Sequence, residues 1–165
     1  MTSKANLGAN APLTVARPEL LDKGSDAKFR EMVHHALAFS ARLETLRAGY
    51  GKLLGLSGVE YTILISVAHL AVEEEIGVSR VAEHLMLTGA FVTSEVNKLV
   101  KKGLVKKTQN PTDKRRVILT VTAKGDDHLR RLAPVQQQVN DVHFGTLSKD
   151  EFETLHRLFP VIAQS

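Results

Sequence analysis

The chain has 165 residues, enough for one domain with an appended subunit-contact region, and its 43% hydrophobic and 24% charged residues are typical of a globular protein. It contains no cysteine, which excludes disulfides, thiolate metal sites and thiol redox switches. No apolar run reaches the ~18 residues needed to span a bilayer, and residues 1–20 lack the apolar core of a signal peptide. We therefore expect a cytoplasmic protein with no membrane partner.

Positive charge is concentrated in one stretch, residues 98–116. This stretch holds eight cations and one acid, a net charge of +7, whereas the whole chain carries +4 and the remainder therefore −3. A solvated surface with no partner usually mixes charges of both signs. A concentrated basic patch on a slightly acidic body instead predicts binding to nucleic acid or to another anionic surface.

The N-terminal part of the chain predicts an arm followed by two helices. Residues 1–25 contain Pro12 and Pro18 with little periodicity and are expected to form a flexible arm. From residue 26, apolar residues at three-to-four spacing predict a helix to about residue 53. Ser57 and Glu60 then fit a capping box. The helix that this box opens, to about residue 71, is apolar nearly all round and is expected to be buried.

Two shorter helices and a hairpin are predicted next. Ser79 is expected to cap a short helix that ends near Met86, and a second helix is expected from about Gly89 to Lys102, with Gly103 at its end. Residues 104–109 and 116–121 alternate as strands do, and an Asn-Pro turn joins them. Residues 56–121 therefore have the order of a helix-turn-helix followed by a wing.

The C-terminal residues predict two more helices. Thr122 is expected to cap a helix that is interrupted by Pro134 and ends near residue 146, and Ser148 with Glu151 forms a second capping box for residues 149–163. The predicted fold is thus mainly α with a small antiparallel hairpin, in a single domain of residues 26–165. The apolar stripes of residues 26–55 and 122–165 exceed what one small lobe can cover, so these helices predict a homodimer.

The helix-turn-helix and the wing supply the candidate contacts to double-stranded DNA. In such modules the second helix lies in the major groove, where small, hydroxyl, amide and lysine side chains suit close approach to bases and phosphates. The candidates here are Ser79, Thr88, Gly89, Ala90, Thr93, Ser94, Asn97, Lys98 and Lys101. An amide such as Asn97 is suited to adenine. The wing tip adds Asp113, Lys114, Arg115 and Arg116 for the adjacent minor groove, with the Asp113 carboxylate expected to hold the Arg115 guanidinium extended.

These residues resemble those of the multiple-antibiotic-resistance regulator (MarR) family. The resemblance covers "LSGVEYTIL", "VSRVAEHLMLTGAFVTSEVNKLVKKGLV" and "DKRRVILTVTAKG", including the Asp-x-Arg wing tip and a Leu-Thr-x-x-Gly strand end in which Val121 takes the Leu position. It implies a winged-helix homodimer on a pseudo-palindromic operator, released from DNA by a small-molecule effector. Lys114 and Arg116 make this wing more basic than the family pattern requires.

Other functions have weaker support in the sequence. Glu31 with His35, and Glu153 with His156, could each supply half of a zinc site, but no HExxH or comparable ligand cluster occurs, and no cofactor is expected. No phosphate-binding loop or nucleophile elbow indicates an enzyme. A protein-interaction module that uses a winged helix is a further alternative, since one fold can host several functions.

A candidate effector site combines a cation with aromatic rings. His35, Phe39 and Arg42 follow three-to-four spacing on the first long helix, and Tyr61 and Phe91 are candidates to approach from the DNA-binding lobe. A guanidinium can bind a carboxylate while rings cover an apolar body, so an aromatic or phenolic acid, or its thioester, is the expected ligand. The alternative is that Arg42 is a solvated or inter-subunit ion-pair residue.

Overall fold

The structure, a computed structural model, describes residues 12–72 and 74–163. Within these ranges it confirms the predicted mainly α fold with one small hairpin. The elements in chain order are a 3-10 turn (Pro18–Leu20), α1 (Ala27–Leu53), α2 (Gly58–Leu70), α3 (Val78–His84), α4 (Gly89–Lys101), β1 (Val105–Gln109), β2 (Val117–Val121), α5 (Ala123–Phe144) and α6 (Lys149–Ala163). The chain divides into two compact units, one ending at Leu46 and the other beginning at Arg47.

A buried carboxylate organises the start of the first unit. Asp26 is 4% exposed, and its Oδ2 accepts hydrogen bonds from the backbone N–H and the hydroxyl of Thr14, both at 2.7 Å. Arg30 donates to the same carboxylate and also to the carbonyl oxygen of Pro12. The Arg30 and Thr14 hydrogen bonds hold the pKa of Asp26 well below its usual range. Of the predicted arm, residues 1–11 lie outside the described residues.

Helix α2 forms the centre of the second unit, as predicted. Ser57 Oγ accepts from the N–H of Glu60 at 3.1 Å, and Glu60 Oε2 accepts from the N–H of Ser57 at 2.7 Å, which confirms the capping box. The core side chains of α2 and of the facing helix α4 are wholly buried: Ile63, Leu64, Val67, Val92, Val96 and Leu99. Val59, 39% exposed, and the half-buried Ile65 depart from the expected burial.

The prediction that Ser79 caps α3 is wrong. The helix begins at Val78 with Gly77 as its N-cap residue, and Ser79 lies inside it. The reason is a backbone contact just upstream, because the N–H of Leu119 on β2 donates to the carbonyl oxygen of Ile76 at 2.8 Å. That contact holds the chain extended as far as Gly77 and joins the segment before α3 to the wing.

The wing is a regular antiparallel hairpin. Val105 pairs with Val121, Lys107 with Leu119 and Gln109 with Val117, and the side chains of Val105 and Leu119 are buried beneath it. Gly103, at the end of α4, has φ +73°, the left-handed conformation expected there. The chain therefore turns sharply from α4 into the wing.

Pro134 does not interrupt α5, contrary to prediction. Its ring removes the one N–H that would bond to the carbonyl of Arg130, but both flanking stretches are fixed by other contacts. Leu132 is 3% exposed, and Asn140 Oδ1 accepts from the hydroxyl of Tyr50 at 3.2 Å. Thr122 caps α5 as expected, accepting from the N–H of Gly125 at 3.0 Å.

Helix α6 begins with the second predicted capping box. The Ser148 N–H donates to Glu151 Oε2 at 2.8 Å, and Ser148 Oγ accepts from the N–H of Glu151 at 3.4 Å. None of the side chains of α6 is buried. Across the described ranges no single helix is long and apolar enough to cross a membrane, although α1 and α2 taken together have sufficient length and composition.

Candidate DNA interface

The outer face of α4 carries predicted contacts to bases and phosphates, and all of these residues are exposed. These are Gly89, Ala90, Thr93, Ser94, Asn97, Lys98 and Lys101. The opposite face is anchored in the core by fully buried valine and leucine side chains. Since a major groove admits one α-helix, this helix presents a polar surface of the right width on a rigid support.

The single acid of α4 points away from this surface. Glu95 is 6% exposed, and its Oε1 accepts from Lys98 Nζ at 2.6 Å. This hydrogen bond raises the pKa of the Lys98 ammonium. The exposed face is consequently free of carboxylates that would repel phosphate, and its electrostatic character comes from Lys98 and Lys101.

Two threonines of α4 already use part of their hydrogen-bonding capacity within the helix. Thr88 is its N-cap, and its hydroxyl accepts from the N–H of Phe91 at 3.3 Å. The hydroxyl of Thr93 donates to the carbonyl oxygen of Gly89 at 2.7 Å. Thr93 therefore presents acceptor lone pairs and a methyl group to the outside, whereas Thr88 fixes the end of the helix that would approach the bases.

Asn97 is linked to the wing. Its side-chain Oδ1 accepts from Lys107 Nζ of β1 at 2.6 Å. Lys107 is half-buried, and its strand partner is the fully buried Leu119. Helix α4 and the wing therefore meet through a side-chain contact at the candidate DNA surface.

Asn110 organises the turn at the tip of the wing. It is 6% exposed, and its Oδ1 accepts from the Thr112 N–H, the Thr112 hydroxyl and the Asp113 N–H at 2.7–2.9 Å. Its Nδ2 donates to Glu75 Oε2 at 3.2 Å. One amide thus closes the turn and ties it to the segment before α3.

The expected pairing of the Asp113 carboxylate with the Arg115 guanidinium is not what the structure shows. Asp113 Oδ1 instead accepts from the backbone N–H of Arg115 at 3.0 Å, and the Asp113 carbonyl accepts from the N–H of Arg116. A short turn places that backbone N–H nearer to the carboxylate than the end of the long arginine side chain. Asp113 therefore shapes the backbone from which exposed Lys114, Arg115 and Arg116 project.

A groove of about 580 Å³ connects these elements. Candidate contacts from three parts of the chain line it together, namely Ser79 of α3, Thr93 of α4, and Arg115 and Arg116 of the wing. Its walls also carry carboxylates, and Arg80 Nε lies 2.7 Å from Glu74 Oε1. The structure thus brings residues that are far apart in the sequence to one surface.

The predicted effector residues have different environments. His35 and Arg42 are exposed on α1, and Phe39 is half-buried there. Phe91 is 42% exposed on α4. Tyr61 is 2% exposed, its ring meets that of Tyr50 edge-on at 5.8 Å, and its hydroxyl accepts from Gln136 Nε2 at 2.8 Å. Burial raises the pKa of Tyr61 to about 12, so it is a neutral core side chain.

A second, more apolar groove lies between α5 and α6. It has a volume of about 910 Å³ and is lined largely by aromatic and aliphatic side chains, among them Phe144, Phe152, Leu155 and Phe159. In residues 12–72 and 74–163, no three or more histidine or acidic side chains come together as a metal site would require. Neither Glu31 with His35 nor Glu153 with His156 gains a third ligand there.

Two residues that organise this surface are not identifiable from the sequence alone. In the sequence, Lys107 is one of several lysines in the basic stretch, and Asn110 is one half of the Asn-Pro turn. Strand alternation indicates that one of two adjacent lysines faces inward. Lys106 and Lys107 must point to opposite faces of β1, so one of them, here Lys107, must face the body of the protein. Nothing in the sequence shows that the Asn110 amide accepts three hydrogen bonds.

Comparison with known proteins agrees with this geometry. The sequence profile of the MarR family matches residues 56–117. Transcriptional regulator HosA from Escherichia coli O111:H- is 30% identical over 109 residues, covering 65% of this chain and 77% of HosA. Two solved structures share the fold. Mutant MarR from E. coli complexed with operator DNA has a TM-score of 0.64 at 23% identity, covering 82% of this chain and 94% of that one. PcaV from Streptomyces coelicolor, in complex with its natural ligand, has a TM-score of 0.58 at 24% identity, covering 77% and 90%.

Proposed function

Because the chain belongs to the MarR family of DNA-binding transcriptional regulators, we propose that it acts as a homodimeric repressor on a pseudo-palindromic operator. One α4 enters the major groove of each half-site, and the wing reaches the adjacent minor groove. Such a protein works in the cytoplasm, without a catalytic step and without a resident cofactor. A small-molecule effector releases it from DNA.

One observation carries the DNA-binding part of the proposal. The exposed face of α4 combines small, hydroxyl, amide and lysine side chains while the only acid of the helix, Glu95, is turned inward. The wing tip beside it exposes Lys114, Arg115 and Arg116. A surface that merely faced solvent would usually mix charges of both signs, whereas the exposed face of α4 has no carboxylate and the wing tip has three cations and one acid, Asp113.

The homodimer is supported by apolar side chains that the chain leaves uncovered. On α6, Phe152 is 54% and Val161 is 66% exposed, and on α1, Met32 is 55% and Leu37 is 62% exposed. Exposed apolar surface of this extent marks an interaction site. We propose that α1, α5 and α6 form the dimerisation region, with residues 56–121 as the DNA-binding lobe of one MarR-type domain.

The effector proposal rests on α1. Arg42 with Phe39 and His35 offers a guanidinium for a carboxylate and rings for an apolar body, and Phe91 is exposed on the DNA-binding lobe. PcaV, which shares the fold, was solved with its natural ligand bound. We propose an aromatic acid or its thioester as the effector, with Arg42 orienting its carboxyl or carbonyl end.

Duplex binding at increasing salt, measured by fluorescence anisotropy on upstream DNA, tests the function. A phosphate-contacting protein loses affinity steeply as salt rises. Arg115→Ala is expected to weaken binding by about 1–3 kcal/mol, the scale of one specific DNA contact. Arg130→Ala, which removes a guanidinium that is also exposed but lies on α5, is the control and should leave affinity unchanged. Equal affinities for the two variants would refute the docking of the wing.

A thermal-shift screen of phenolic acids and their thioesters tests the effector. Coupling of a typical 1–3 kcal/mol means that a bound effector lowers operator affinity by roughly 5–150-fold. Arg42→Ala should keep ligand-free DNA binding while losing release by the acid. Unchanged affinity of that variant for the acid, measured by calorimetry, would exclude this role of Arg42.

A further inference from the structure

We propose that Lys107 determines base specificity by converting Asn97 from an adenine reader into a hydrogen-bond donor that selects guanine. Lys107 is a positioning residue in this scheme, acting through the Asn97 side chain. The inference rests on the proposed function, because it requires α4 to lie in the major groove. It goes further by naming the base and the residue that selects it.

The contact that carries the inference is short and involves a charge. Lys107 Nζ donates to Asn97 Oδ1 at 2.6 Å, and charge-assisted hydrogen bonds are stronger than neutral ones. Lys107 occupies the β1 position opposite fully buried Leu119, so its stem starts from a rigid strand. Asn97 is exposed on α4. The ammonium therefore fixes which end of the amide points outward.

The chemistry of the two purine edges gives this orientation a consequence. A free asparagine reads adenine by accepting from N6–H₂ and donating to N7. Here one lone pair of the accepting oxygen already binds a cation, which places positive charge where the adenine N6–H₂ donor would have to approach. The Asn97 Nδ2 group and the remaining protons of the Lys107 ammonium are all donors. Guanine offers two acceptors, O6 and N7, at the same edge.

The neighbouring side chains leave this donor set in place. Thr93, one turn earlier on the same face, has its hydroxyl hydrogen engaged by the carbonyl of Gly89 at 2.7 Å. Lys98 is held by Glu95 at 2.6 Å. Thr93 keeps acceptor lone pairs, but Lys107 Nζ donates to Asn97 Oδ1, and the Lys98 ammonium offers no acceptor. The Asn97–Lys107 pair therefore reads the groove as one unit.

The experiment is a selection from a duplex library with a randomised centre, carried out with the full chain and three variants. Asn97→Ala defines the position that Asn97 reads, as the one where base preference disappears. Lys107→Met keeps the aliphatic stem but removes the donor. Lys106→Met is the matched control, because it removes the same charge from the adjacent residue on the opposite face of β1. Because each lysine variant removes one positive charge, both should show the same decrease in overall DNA affinity and the same decrease in its salt dependence.

At the Asn97 position the wild type is expected to prefer guanine over adenine by roughly threefold to tenfold, the range of one net hydrogen bond. Lys107→Met should abolish or invert that preference, and Lys106→Met should preserve it. If Asn97→Ala removes discrimination at one position but the wild type prefers adenine there, or Lys107→Met leaves the preference unchanged, the inference is overturned while the docking of α4 stands. If Asn97→Ala changes neither affinity nor preference, the docking of α4 fails, and the inference fails with it.

Discussion

Helices α4 and α6 are both amphipathic and of similar length, 13 and 15 residues, yet the apolar face is buried in α4 and exposed in α6. In α4 the apolar face is covered by the same chain, and Val92, Val96 and Leu99 are completely buried. In α6 no side chain is buried, and Phe152 and Val161 are more than half exposed. An amphipathic pattern therefore predicts that a face will be covered but not which surface covers it.

The polar faces differ as well. On α4 the polar face is free of acids and lies next to a basic wing, whereas α6 has Asp150 and Glu151 in its first turn. Acids at a helix N-terminus stabilise that helix through its dipole, and they would repel DNA. These differences favour nucleic acid as the proposed partner of α4 and a protein surface as the proposed partner of α6.

The largest expected effect comes from placing a charge on the uncovered face of α6. Phe152→Asp should weaken the proposed dimer by about 3–6 kcal/mol, because burial of one phenylalanine contributes about 1.5–3 kcal/mol and a two-fold dimer buries it twice. Sedimentation analysis at micromolar concentration should show monomer. Val72→Asp, at an 82% exposed position in the DNA-binding lobe, is the control. A dimer that survived Phe152→Asp would remove α6 from the interface.

A smaller effect is expected where the wing satisfies its own polar groups. Asn110→Ala should lower the free energy of unfolding by about 1–3 kcal/mol, because it removes the acceptor of three hydrogen bonds from Thr112 and Asp113, each of which contributes about 0.5–1.5 kcal/mol. Urea denaturation measures the loss, and hydrogen exchange should quicken at those two amides. Gln109→Ala, which removes one exposed hydrogen bond to the carbonyl of Lys114, should have little effect. Equal losses in both variants would contradict the role of Asn110.

The same contrast explains how far the sequence predicted the structure. Helix boundaries and core stripes followed from periodicity and from caps, because Ser57, Thr122 and Ser148 act on residues three positions away. Contacts between distant segments were not predictable in this way. The backbone bond from Leu119 to Ile76 moved the start of α3, and the pairing of Lys107 with Asn97 depends on the relative position of β1 and α4. The predicted interruption at Pro134 was wrong for the same reason. The hydrogen bond lost at a proline follows from the sequence, whereas the contacts of Leu132 and Asn140 that offset this loss depend on distant segments.

A third prediction concerns an ion pair inside the lobe. Glu60 is 5% exposed, and Lys102 Nζ lies 2.8 Å from its Oε1. Burial acts to raise the pKa of Glu60, but hydrogen bonds from Lys102 and from the Ser57 N–H outweigh it, so the pKa lies below the usual 4.5. A carboxylate with a lowered pKa in the folded state stabilises the protein above pH 4.5, and this stabilisation is lost as the pH falls below that value.

Glu60→Gln keeps the acceptor for the Ser57 N–H but removes the charge. It should cost about 1 kcal/mol near neutral pH, between the values for exposed and for buried pairs. The difference from wild type should shrink as urea denaturation is repeated at pH values progressively below 4.5. Glu153→Gln on exposed α6 is the control and should cost little at any pH. A difference between Glu60→Gln and wild type that persisted in acid would mean that the charge is not its source.

The smallest predicted effect is a change in the stability of the DNA-binding lobe near neutral pH, caused by protonation of His84. The rings of His69 on α2 and His84 on α3 lie 6.2 Å apart, and burial, followed by the charges of Arg80 and His69, lowers the pKa of His84 below 6.5. As the pH falls, His84 therefore binds a proton in the unfolded chain before it does so in the folded chain. The free energy of unfolding should decline slightly as the pH falls through 6.5 and level off once His84 is also protonated in the folded state. Nuclear magnetic resonance titration of the His84 ring measures its pKa. In His84→Gln the titration assigned to His84 should be absent. In His69→Gln the pKa of His84 should rise towards 6.5, because the charge of His69 no longer opposes protonation of His84. A His84 midpoint that stays in place in His69→Gln would show that burial and Arg80 alone set the pKa, and the two helices would then not be coupled through their histidines.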